Sequence, residues 1–124
     1  MPISYLCILI SIFIPLFCAA YTKFSVKGYN NRRPREFLDN LEGKAKRAHY
    51  AQLNSYEVFA PFAAGVLVAH QIHAPDETIN ILSITFVCVR ILYAFFYIQD
   101  MPIGRTIAWF IGFFATIGLF LIGV

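Results

Sequence analysis

The sequence predicts an all-α fold, an integral membrane bundle of four transmembrane helices forming one domain over residues 1–124. Composition is the first observation behind that reading. The chain is 59% hydrophobic and 14% charged, against roughly 25% charged in ordinary soluble domains. A soluble protein of this size could not hide so much apolar surface, whereas a bilayer can. The second observation is the division of the apolar residues into four stretches of spanning length. The third is the clustering of charge: eight of the ten basic residues (Lys23, Lys27, Arg32, Arg33, Arg35, Lys44, Lys46 and Arg47) lie between the first two stretches.

The first stretch, Ile3–Tyr21, holds nineteen residues without a charge. At about 1.5 Å per residue it extends about 28 Å, enough to cross the hydrocarbon core. No Lys or Arg precedes it, so it is expected to stay as an anchor rather than be cleaved as a leader. Pro15 is expected to bend it. The basic residues follow, which retains the Thr22–Lys46 loop in the cytoplasm and leaves both termini outside. That loop also suits anionic lipid head groups. Nucleic acid is a poor partner for it, since it abuts a membrane and carries no recognition module. Tyr29-Asn30-Asn31 and Arg33-Pro34 break the chain. A short helical piece is expected from about Arg35, with Asp39 or Asn40 capping the next helix.

The second span, about 46–72, should project its first turns into the cytoplasm. His70 to Glu77 forms an outer turn without Lys or Arg, and two histidines without further ligands give no metal site. The third span is 79–98 and the fourth 105–124, joined by Gln99–Gly104. The three cysteines sit in apolar runs with no CxxC or Cys/His spacing, so they read as small buried hydrophobes.

Polar groups within spans are costly and carry the functional argument. On the second span Arg47, Tyr50, Asn54, Glu57, Pro61 and Gly65 share an arc of roughly 80°. On the third, Ser83, Phe86, Arg90, Tyr93 and Tyr97 do the same. Counted from the cytoplasmic ends, Glu57 and Arg90 stand level, at about 15 and 12 Å. A structural Glu57–Arg90 ion pair is therefore expected, supported by Asn54 and Tyr93, since an unpaired buried charge costs several kcal/mol. Pro61 cannot donate to the Glu57 carbonyl. Arg47, Tyr50, Tyr97 and Arg105 lie nearer the cytoplasmic mouth, within reach of an anionic ligand. Arg105 falls in the first turn of the fourth span, where free N–H groups favour anions. Interfacial snorkelling accounts for an arginine there equally well. Small residues at four-residue spacing, Ala108-Gly112-Thr116 and Ala60-Ala64, would let helices of different subunits approach closely.

These residues form two motifs. Arg47 followed by Asn54-x-x-Glu57 and then Pro61 resembles the second-helix motif of the MAPEG superfamily, membrane-associated proteins in eicosanoid and glutathione metabolism. Arg90-x-x-Tyr93-x-x-x-Tyr97, followed by Pro102-Ile103-Gly104-Arg105-Thr106, resembles the family's third helix, turn and fourth-helix start. Asn-x-x-Glu alone is a weak signal, but the second motif at the right distance makes it strong. The resemblance covers nearly the whole chain. It implies a homotrimer with sites between subunits near the cytoplasmic side, where glutathione is bound for transferase or peroxidase chemistry on lipophilic electrophiles. It further implies Arg105 as the catalytic residue beside the glutathione sulfur, and Arg47, Tyr50, Asn54, Glu57, Tyr93, Tyr97 and Thr106 as residues that hold the tripeptide.

The chain departs from the pattern in places. Tyr50 and Leu53 stand where the eicosanoid enzymes carry arginines, Tyr93 where prostaglandin E synthase has a histidine, and Thr106 where that enzyme has serine. Bacterial-type members often look like this, which would place the chain in the inner membrane. Fewer cations would face the anionic ends of glutathione, so a non-enzymatic member that binds lipid or scaffolds a partner is the alternative. A small four-helix drug exporter is the other rival. It needs an acidic residue in the first span, and Ile3–Tyr21 has none.

Overall fold

The computed structural model describes all 124 residues and contains five helices: α1 Ile3–Phe24, α2 Pro34–Asp39, α3 Gly43–Gln71, α4 Asp76–Ile98 and α5 Pro102–Leu121. There is no strand. Three of them, α1, α4 and α5, are long and apolar enough to cross a membrane. The polar residues Gln52, Asn54, Ser55 and Glu57 make α3 less apolar than its three partners, although it is the longest helix at 29 residues.

Packing places α3 and α4 at the centre. Each of them contacts both α1 and α5, while α1 and α5 do not touch. The two outer helices therefore flank the α3–α4 pair on opposite sides. Phe62 and Phe86 stack across that pair with centroids 3.9 Å apart and planes 6° apart. Val66, Ala69, Ile79 and Leu119 complete a fully buried apolar core toward the end of the bundle away from the basic loop. Ser11, Ser55, Ser83 and Thr116 return their hydroxyls to the carbonyl four residues back, which satisfies polar groups inside the bundle without a second helix.

Small residues hold α5 against α4. A Cβ on Gly112 would meet Val89 at 3.4 Å and Arg90 at 3.7 Å. Ala108, Gly112 and Thr116 are all buried within the single chain. That corrects the assignment of Ala108-Gly112-Thr116 to a subunit contact, since the α4–α5 approach already uses it. Ala60 and Ala64 remain exposed.

Both tight turns end their helices alike. After α3 the amides of His73 and Ala74 bond the carbonyls of His70 and Ala69, with His73 at φ +57°. After α4 those of Asp100 and Met101 bond Tyr97 and Phe96, with Asp100 at φ +61°. These are Schellman caps built on residues other than glycine. His70 also holds Ser4 of α1 at 2.7 Å.

Two boundary expectations change. The last helix begins at Pro102 rather than 105, because proline suits the first helical position, where its missing N–H is no loss. Neither Asp39 nor Asn40 caps α3: Asn40 closes α2 and donates to the Glu36 carbonyl, and the residue before α3 is Glu42.

Candidate functional site

The polar residues of α3, α4 and α5 form a line running from inside the bundle to the end that carries the basic loop. Arg90 is its inner anchor and is 2% exposed. Its Nη2 donates to Asn54 Oδ1 at 2.8 Å, and its guanidinium lies over the Tyr93 ring at 4.0 Å. Asn54 in turn donates from Nδ2 toward Glu57 Oε2 at 3.4 Å. The expected direct Glu57–Arg90 ion pair is not made, and the only ion pair in the chain is Arg33–Glu36. The reason is register. Arg90 stands level with Asn54, and Glu57 lies three residues, or about 4.5 Å, farther along α3. Asn54 relays between the two charges, Glu57 faces outward, and Arg90 Nε keeps no partner within the chain.

Tyr93 meets Tyr97 edge to face at 5.7 Å, and Tyr97 lies under the Arg105 guanidinium at 4.4 Å. Cation–π contact of this kind fixes an arginine while leaving its N–H edge free to donate. Tyr93, Tyr97, Arg105, Thr106 and Trp109 line a pocket of about 300 Å³. The amide of Arg105 bonds the Met101 carbonyl. The free N–H groups of this helix start therefore belong to Ile103 and Gly104, the two residues just before Arg105. The Thr106 hydroxyl donates to Pro102 at 2.9 Å, so Thr106 offers an outside partner mainly its lone pairs.

A second crevice of about 310 Å³ opens between α3 and α5 over α4. Asn54, Glu57 and Arg90 form its polar side, while Pro61, Trp109 and Phe113 are among its apolar lining. Trp109 borders both spaces and stacks on Phe113, with centroids 5.2 Å apart. The sequence reading passed over it. The available signal was its place one turn after Arg105, on the same face of the helix.

Two further expected residues sit apart from this line. Arg47 donates from Nε to the Ile98 carbonyl at 3.1 Å and so closes the end of α4. Tyr50 is 6.3 Å from Tyr97, centroid to centroid, with the Lys46 ammonium 5.2 Å from its ring. Together, Glu57, Asn54, Arg90, Tyr93, Tyr97 and Arg105 form one chain of contacts, and Thr106 lines the pocket at its Arg105 end. The line carries a donor-rich guanidinium at one end and a carboxylate at the other.

The MAPEG family model matches residues 3–124, nearly the whole chain. The chain belongs to the MAPEG family. Membership and the apolar helices make it a membrane protein. No curated protein and no solved structure matched this MAPEG chain.

Proposed function

We infer that this MAPEG protein binds glutathione along the Arg105–Glu57 line and uses it as a transferase or peroxidase toward lipophilic electrophiles. The observation that carries the reading is the pocket in which Arg105 is held over Tyr97 beside Tyr93, Thr106 and Trp109. Its volume of about 300 Å³ is at the lower end of the range for small-molecule sites, and the α3–α5 crevice adjoins it at Trp109.

The residues fit a zwitterionic tripeptide. Arg105 presents guanidinium N–H donors, Glu57 presents a carboxylate suited to an ammonium, and Asn54 and the tyrosine hydroxyls add hydrogen bonds. Glutathione would supply a thiol. A thiol of pKa near about 8.5 becomes nucleophilic as its thiolate, which a nearby guanidinium stabilises. Arg105 would hold that charge, and the apolar lining of the crevice, Trp109 and Phe113 within it, would receive the lipophilic partner.

Four membrane crossings and a homotrimer belong to the same reading. α3 lies between helices able to span, and its 29 residues extend about 43 Å. Glu57 is exposed on the open side of the crevice. A carboxylate facing hydrocarbon costs several kcal/mol, so a neighbouring copy covering that side relieves it. Exposed Ala60 and Ala64 permit that approach. The excess of cations in the Thr22–Lys46 loop sets it in the cytoplasm, with both termini outside.

Exposed Tyr50 and Leu53, uncharged where arginines would grip an anion, favour the second reading, a non-enzymatic lipid-binding or scaffolding member. Calorimetric titration of glutathione into the purified protein separates the two. Saturable binding at or below millimolar concentration supports the enzyme, and no heat of binding supports the scaffold.

A further inference from the structure

A second cleft lies on the other side of the bundle, between α1 and α4. It measures about 420 Å³ and is lined only by hydrophobic residues, among them Phe13, Phe17 and Tyr21 of α1 with Ile91, Ala94 and Ile98 of α4. Both walls belong to helices able to cross a membrane.

One end of the cleft differs chemically from the rest. Ile98 stands there, and its carbonyl accepts the Arg47 Nε–H at 3.1 Å. Thr22, next to Tyr21, donates to the Ala45 carbonyl at 3.3 Å, which ties this level of α1 to the start of α3. Tyr21, Arg47 and Ile98 therefore meet at one junction. No carboxylate lies within ion-pair distance of Arg47, and its terminal nitrogens have no partner in the chain. Lys46, in contrast, is committed to the carbonyls of Leu38 and Asp39. The segment 23–47, Arg47 included, holds eight cations against the three carboxylates Glu36, Asp39 and Glu42.

We propose that this cleft binds an anionic phospholipid, with one acyl chain along the apolar walls and the phosphate against Arg47. A free phosphate gains nothing from the apolar walls, and a neutral lipid leaves the cation unmatched. The proposal stands whether or not the protein binds glutathione.

The test is native mass spectrometry of the protein after incubation with equal amounts of dioleoyl phosphatidylglycerol and dioleoyl phosphatidylcholine. Wild type should retain the anionic lipid over the neutral one. Arg47→Gln should reduce that preference about fivefold, the effect of one cation near a lipid phosphate, and Arg47→Lys should keep it. Ile91→Trp fills the cleft from a half-exposed position and should reduce retention with Arg47 intact. Thermal melts establish that each variant is folded, and Ile91→Trp carries the test if Arg47→Gln is not. Equal retention of the two lipids, or unchanged retention in Ile91→Trp, overturns the proposal. So does a wild-type oligomer that retains no lipid and is broken up by Ile91→Trp, because a second copy would then fill the cleft.

Discussion

Arg90 is bonded to Asn54 rather than to Glu57: the guanidinium–amide distance is 2.8 Å, and the carboxylate stands one step farther on, behind the same amide. A buried cation here takes a neutral partner first. The energetic weight of the cluster therefore rests on Asn54.

Asn54→Leu should destabilise the bundle by about 1.5–3 kcal/mol, the range for losing a hydrogen bond to a charged group. Glu57→Gln should cost less than about 1 kcal/mol in the isolated subunit, because its carboxylate is exposed and its one contact is long. Thermal unfolding in detergent compares the two. A larger loss for Glu57→Gln than for Asn54→Leu would restore the direct ion pair.

The close α4–α5 approach gives a graded expectation at Gly112. Alanine should be tolerated, since its Cβ meets Val89 at ordinary contact distance. Leucine should destabilise by about 1–3 kcal/mol through overpacking. Equal melting temperatures for Gly112→Leu and wild type would show that the two helices do not pack here.

Most of the fold was legible in the sequence, and much of the site was not. Apolar stretches bounded by breakers located the long helices, and Arg33-Pro34 marked the start of α2. Periodicity grouped Asn54 with Glu57 and Arg90 with Tyr93, because a helix face is fixed by local geometry. Depth was misjudged by about one turn. Register between helices depends on where each begins, and α3 begins at Gly43, ahead of the expected 46. Composition also could not show that Ala108-Gly112-Thr116 packs within the subunit. A stripe of small residues permits close approach without naming the partner.

Asp100 holds a left-handed conformation at the cap that leads into Pro102 and Arg105. Asp100→Gly should stabilise the fold by up to about 1 kcal/mol, since glycine adopts this region without the Cβ penalty. A raised melting temperature checks it. A lowered one would mean that the Asp100 carboxylate makes a contact that outweighs the strain.

Orientation is tested by cysteine labelling. A cysteine at Asn30 should resist an impermeant reagent applied to intact cells and react once the membrane is opened. Labelling from outside would invert the topology.

The central claim is that Arg105 stabilises a thiolate. The direct measurement is the thiolate's ultraviolet absorbance with bound glutathione, followed against pH in wild type and in Arg105→Leu. A cation beside the sulfur favours the charged form, so wild type should reach half-ionisation about one to three pH units below the variant. Arg105→Lys should fall between them, keeping the charge but losing the planar fork. Superimposed titrations in a folded Arg105→Leu protein that still binds glutathione would contradict the account.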